Sequence, residues 1–122
     1  LSNVLKLFDH LNKDNYFNEI WILFPDPWPK KKHYKRRLIN DNFFKKIYPY
    51  IKKNGKIFIA TDSTSYLQSI MNSIYKTKYL FNWQNNKPQN WIYEMRDLPY
   101  TKFFKKAQNS YRSSFFIELI KI

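Results

Sequence analysis

No cysteine occurs in this chain, which excludes a disulfide framework and a thiolate metal site. Histidine is almost as scarce: His10 and His33 stand alone and far apart, so no metal centre is expected. No apolar run approaches the roughly 20 residues that cross a bilayer, and no signal peptide is expected before the first helical pattern. The expectation is a cytoplasmic protein with no membrane association. Glycine is represented by Gly55 alone, whereas a complete nucleotide-binding α/β domain places several glycines where backbone approaches ligand. Because the sequence also opens at Leu1, inside a helical pattern, an N-terminal, glycine-bearing part of such a domain is expected to lie outside it.

Acidic residues are few as well. Nine Asp and Glu face 22 Lys and Arg, a formal charge of +13. Each phosphate met by a Lys or Arg releases counterions, so this balance suits a nucleic acid partner. Biased base composition in the gene is the competing source of surplus Lys, Asn, Ile, Tyr and Phe. An anionic membrane surface would also attract the charge, but no basic amphipathic helix of adequate length is present. With 122 residues, 43% hydrophobic and 20% aromatic, the chain has the material for one packed domain over residues 1–122.

Residues 4–11 carry Val4, Leu5, Leu7, Phe8 and Leu11 at helical spacing. The run from Glu19 to Phe24 is apolar, rich in β-formers and too short for a typical helix, which is how a doubly covered parallel strand looks. Three prolines in Pro25-Asp26-Pro27-Trp28-Pro29 exclude helix and central strand. They make a rigid loop at the C-terminal end of a strand, the edge where open α/β sheets hold ligands. A helix is expected over residues 40–51, closed by Asn54-Gly55 with Gly55 left-handed. A second strand follows over residues 56–60, and then a helix over residues 66–76 capped by Asp62, Ser63 or Thr64. Further strands are expected over residues 79–83 and 113–120, separated by an irregular connection over residues 84–99 and a short helix over residues 102–108. The alternation is that of an α/β protein.

Four groups of residues can carry chemistry. Asp26 stands on the proline-stiffened loop beside Trp28, an acid that can accept from the N–H groups of a base next to an aromatic face. An Asp-Pro turn in which Asp26 bonds its own backbone is the competing reading. Lys30-Lys31-Lys32-His33-Tyr34-Lys35-Arg36-Arg37 holds six fixed cations in eight residues with no acid, the pattern of a phosphate-binding arm. Asp62 in Ala60-Thr61-Asp62 would share a sheet edge with Asp26 if the two strands are neighbours; a helix cap is its other role. Tyr100-Thr101-Lys102-Phe103 reads by itself only as a helix start.

The loop Phe24-Pro25-Asp26-Pro27-Trp28-Pro29-Lys30 with the basic segment after it closely resembles the signature of the bacterial tRNA (guanine-N7)-methyltransferases. Ala60-Thr61-Asp62 follows at the family's distance, and Thr101-Lys102-Phe103 resembles its Thr-Lys-Phe-Glu motif, with Phe104 in place of the Glu. The resemblance covers nearly the whole chain but only the later part of the family's domain. It implies α/β architecture of the Rossmann-like class I methyltransferase fold, partial here because the N-terminal donor-binding strands are absent. It also implies methyl transfer from S-adenosylmethionine to N7 of a guanine in the tRNA variable loop, with tRNA as partner and a separate N-terminal half as a further candidate partner. By position Asp26 matches the catalytic acid, which also meets the donor, and Asn3 matches a polar residue near the donor's adenine. Lys30, Asp62, Thr101, Lys102, Phe103 and Phe104 match substrate-binding positions, and Lys32, His33, Tyr34, Lys35, Arg36 and Arg37 match the RNA-contacting segment. A non-catalytic RNA-binding remnant of a split or truncated methyltransferase is the alternative expectation.

Overall fold

The computed structural model describes residues 17–87 and 114–122. The helices expected over residues 4–11 and 102–108, most of the expected connection, and the site candidates Asn3, Thr101, Lys102, Phe103 and Phe104 lie outside the described residues. Among the described residues four strands form one sheet: β1 (Phe17–Leu23), β2 (Ile51–Thr61), β3 (Phe81–Trp83) and β4 (Phe115–Lys121), in the order β1-β2-β4-β3. β1 runs parallel to β2, while β4 is antiparallel to both β2 and β3. Two helices, α1 (Asp41–Ile47) and α2 (Thr64–Lys76), follow β1 and β2. The result is mixed α/β, consistent with a partial Rossmann-like methyltransferase fold.

Strand alternation divides the apolar residues between two faces. Ile57 and Ile59 of β2 and Ile117 and Leu119 of β4 join Phe43, Phe44, Ile47, Tyr66, Leu67, Ile70 and Ile74 from the two helices in the main core. Ile20 and Ile22 of β1 pack against that cluster from the edge. The intervening residues Trp21, Phe58 and Phe116 form a stacked row on the other face, with ring centroids 4.2 and 5.9 Å apart. Among the described residues no helix covers this second face.

The helix expected over residues 40–51 is cut short. Asn40 caps it, its side chain accepting from the Phe43 amide at 2.9 Å, but regular α-helix ends at Ile47. Pro49 has no N–H to offer the preceding turn, so the chain tightens into a 3-10 turn, Tyr48–Tyr50, and enters β2 at Ile51. Lys121 reinforces this junction by donating to the carbonyls of Ile51 at 2.7 Å and Tyr48 at 3.0 Å.

Asn54-Gly55 therefore lies within β2 instead of closing a helix. The left-handed conformation belongs to Asn54, at φ 62°, and Gly55 has no positive φ. The β1 partners jump from Ile51 opposite Phe17 to Lys56 opposite Glu19, a bulge that absorbs the extra residues. Gly55 is required there for space. A Cβ at this position would sit 2.5 Å from Ile51 Cγ2, 2.7 Å from the Lys52 carbonyl oxygen and 3.1 Å from that of Asn18.

Gly55→Ala should accordingly lower stability by about 1–3 kcal/mol, because backbone oxygens cannot move aside as a side-chain tip can. Asn54→Gly should be neutral or slightly stabilising, since it relieves a left-handed non-glycine residue. Urea unfolding of the two variants checks the difference; equal stability would remove the steric role given to Gly55.

Candidate active site and RNA-facing surface

Parallel pairing brings the ends of β1 and β2 to one edge of the sheet. Leu23 lies opposite Ala60, and the Phe24 amide continues the ladder by donating to the Ala60 carbonyl at 2.7 Å. Beyond that point the chain leaves through Phe24 at φ 52° and later passes Trp28 at φ 42°. Two bulky residues in the left-handed region within five positions are costly, each on the order of 1 kcal/mol or more, and the three intervening and flanking prolines hold the loop in this form. Asp26 is exposed at its tip. Its Oδ1 accepts from the Trp28 amide at 3.4 Å, longer than a strong bond. The Asp-Pro turn is thus present, but it leaves most of the carboxylate's accepting capacity facing solvent.

The basic segment forms a 3-10 helix, Lys31–Arg36, with no buried residue. Three residues per turn align positions three apart, so its side chains fall into distinct rows. His33 and Arg36 turn to the loop: His33 meets the Trp28 ring edge-on at 5.7 Å and the Arg36 guanidinium lies 5.0 Å from its centroid. Lys32 and Lys35 share a row exposed to solvent, and Lys30 and Lys31 are exposed beside them. Trp28 is therefore partly engaged by its own chain, and its Nε1 is buried without a hydrogen-bond partner.

Arg37 departs from the expectation that the whole basic run faces phosphate. It is 3% exposed. Its Nε donates to the Pro27 carbonyl at 2.7 Å, and its terminal nitrogens donate to Ser65 Oγ at 2.7 Å and the Ser65 carbonyl at 3.4 Å. The guanidinium lies 3.8 Å from the Tyr34 ring centroid and 4.9 Å from that of Tyr66. The cause is local: the 3-10 helix ends at Arg36 and the chain becomes extended at Arg37 (φ −62°, ψ 131°), which points this one side chain at the start of α2. Ser65 and Tyr66 were not distinguishable in the sequence as site residues, because their partner is 28 or more positions away.

On the neighbouring loop the helix cap is Ser63, whose hydroxyl accepts from the Tyr66 amide at 3.2 Å, so Asp62 does not serve as the cap. Asp62 follows Thr61 at the C-terminal end of β2 and stands on the same sheet edge as Asp26. Among the described residues no three metal-ligating side chains cluster, and no helix is long and apolar enough to cross a membrane.

The Tyr66 hydroxyl accepts from the buried Ile39 amide at 2.9 Å. Burial raises its pKa above the ordinary 10.0, opposed by the hydrogen bond from Ile39 and by the Arg37 charge. The folded state thus binds the phenol proton more tightly than the unfolded chain, so this stability is complete below pH 10 and is lost as pH rises through the folded pKa. Tyr66→Phe should cost about 1–3 kcal/mol at neutral pH by leaving the Ile39 amide unpaired in the core. It should also remove the part of the alkaline decline due to Tyr66. Urea titrations of both proteins at pH 7 and above pH 10 measure both effects; an unchanged neutral stability would show that water replaces the hydroxyl.

Residues 1–117 match the model of a family described as "Putative methyltransferase". Among curated relatives, the tRNA (guanine-N(7)-)-methyltransferase of Agrobacterium fabrum is 31% identical over 120 residues, 98% of this chain and 51% of that protein. The Buchnera aphidicola protein of the same name is 36% identical over 83 residues, 68% of this chain and 34% of its own. That of Wolbachia pipientis is 49% identical over 61 residues, 50% of this chain and 28% of its own. The chain spans about half, or less, of the length of these relatives. With the match extending over nearly all its residues, and with the acid-bearing loops at the edge of a mixed α/β sheet, the chain belongs to this methyltransferase family.

Proposed function

We propose that this chain forms the guanine-facing and RNA-facing part of an enzyme that transfers a methyl group from S-adenosylmethionine to N7 of a guanine in tRNA. The observation that carries the reading is the juxtaposition of an exposed Asp26, on a stiff loop at the C-terminal sheet edge, with the solvent-facing cations Lys30, Lys31, Lys32 and Lys35. The names of the relatives support the substrate.

Guanine N7 carries a free lone pair at neutral pH, so no base has to remove a proton before transfer. The demand on the protein is alignment. S-adenosylmethionine, when bound, supplies an electrophilic methyl group on a sulfonium. Asp26 suits both sides of that encounter: its largely unengaged carboxylate can face the sulfonium's positive charge and accept from the N–H groups of guanine. Asp62, on the adjacent strand end, is the second acid at this edge, with Lys30 beside the loop. Where N7 is engaged in folded tRNA the base must be displaced and held, at a cost of a few kcal/mol.

Lys32, Lys35 and Arg36, with His33 and Tyr34 on the same turn, form the RNA-contacting surface in this reading. Thr101, Lys102, Phe103 and Phe104 belong to the substrate side, and Asn3 to the donor's adenine, on the family resemblance. The remaining donor contacts are assigned to the other half of the family's domain, on the same polypeptide or a separate N-terminal half. A cytoplasmic location is part of this reading.

Methyl transfer from labelled S-adenosylmethionine to unmodified tRNA, in the presence of the family's N-terminal half, should yield 7-methylguanosine on digestion. Asp26→Asn should reduce turnover by about 100-fold through loss of alignment while tRNA affinity stays nearly constant. Absence of 7-methylguanosine from the unsubstituted protein, or equal loss of turnover and affinity in the variant, would overturn the role of Asp26 in the reaction. Lys32→Ala and Lys35→Ala should each flatten the salt dependence of tRNA binding by about 0.7–0.9 in log–log slope. An unchanged slope in both would remove that row from the RNA surface.

A further inference from the structure

Arg37 is buried beside the loop that bears Asp26, and its hydrogen bonds go to two carbonyls and a hydroxyl, with no carboxylate among them. A buried cation without an anion is costly to retain unless its geometry is well satisfied. Here one nitrogen reaches the carbonyl of Pro27, the residue between Asp26 and Trp28, and others reach Ser65 in the first turn of α2. The planar group also lies against the rings of Tyr34 and Tyr66. Lysine could supply neither the fork nor the stacking.

We propose that Arg37 is a positioning residue that ties the Asp26 loop to the start of α2, setting Asp26 relative to Asp62. This rests on the reading of Asp26 given above. The two acids leave the sheet on separate connections, and among the described residues Arg37 bonds to both: to Pro27 in the first, and to Ser65, three residues past Asp62, in the second. Arg36, by contrast, remains exposed. Adjacent arginines therefore divide the work, with Arg36 at the surface over Trp28 and Arg37 beneath it.

The test uses Arg37→Lys and Ser65→Ala in the complete enzyme, followed by turnover, tRNA affinity with its salt dependence, and hydrogen–deuterium exchange at the Asp26, Trp28 and Lys30 amides. Arg37→Lys should lower kcat about 10- to 100-fold, the range expected when a reacting group is displaced by a fraction of an ångström to one ångström. The salt slope should be unchanged, and exchange should rise in the loop but not in the middle of β2. Ser65→Ala should act in the same direction more weakly, and the double variant should be no worse than Arg37→Lys alone, because both break one connection.

A salt slope lower by about one contact with unaltered loop exchange would make Arg37 a phosphate ligand and overturn the proposal. So would exchange that rises equally across β2 and α2, which is the mark of a general packing role. If Arg37→Lys does not fold, Ser65→Ala decides: normal kcat and normal loop exchange in that variant refute the tie. Failure of the Asp26 reading is separable, because it shows as unimpaired turnover in Asp26→Asn, whereas the tie is reported by loop exchange whether or not Asp26 acts in the reaction.

Discussion

The parallel register of β1 on β2 is the constraint from which the rest of the site is built. With Leu23 opposite Ala60 and the Phe24 amide bonded to the Ala60 carbonyl, the two strands end together and their following loops emerge side by side. Any slip of β1 by one residue would put Trp21 and Leu23 on the opposite face from Phe58 and Ala60 and carry Asp26 away from the Asp62 loop. The register is protected by burial on the helix side, where Ile57 and Ile59 are fully enclosed, and by the bulge at Asn54-Gly55, which restores pairing after the chain enters β2 early. A tight steric requirement at Gly55 thus acts at a distance on the opposite end of the strand.

Charge is distributed by the same geometry. The basic segment is short and helical in the three-residue sense, so it cannot present all of its cations to one partner. One row meets Trp28, another meets solvent, and the residue just past the helix turns inward. The cations therefore divide between an exposed row, Lys32 and Lys35, and a hydrogen-bonding centre inside the fold at Arg37. Trp28 shows the consequence most directly, since a ring that could stack on a base is already bordered by His33 and Arg36.

Much of this was legible in the linear sequence. The apolar runs ending at Phe24 and Ala60 marked β1 and the end of β2, the three prolines marked a rigid loop at a strand end, and helical spacing marked α2 to within two residues of its start. These signals are local and repeat with the period of the structure they form. The reading failed where a local signal had a second meaning. Asn54-Gly55 resembles a helix stop, but Pro49 had already ended the helix, so the pair served a bulge instead. Arg37 resembles its basic neighbours, and only the extended backbone after the 3-10 helix distinguishes it.

The sequence by itself determined the alternation of strands and helices, the position of the proline-stiffened acid, and the concentration of positive charge beside it, because each depends on residues within a few positions of one another. Only the tertiary structure decided that Ser63 and not Asp62 caps α2, that Gly55 is needed for space and not for φ, and that Arg37 joins Pro27 to Ser65. Those outcomes depend on groups brought together from distant parts of the chain by strand pairing and burial, and no local pattern encodes such a meeting.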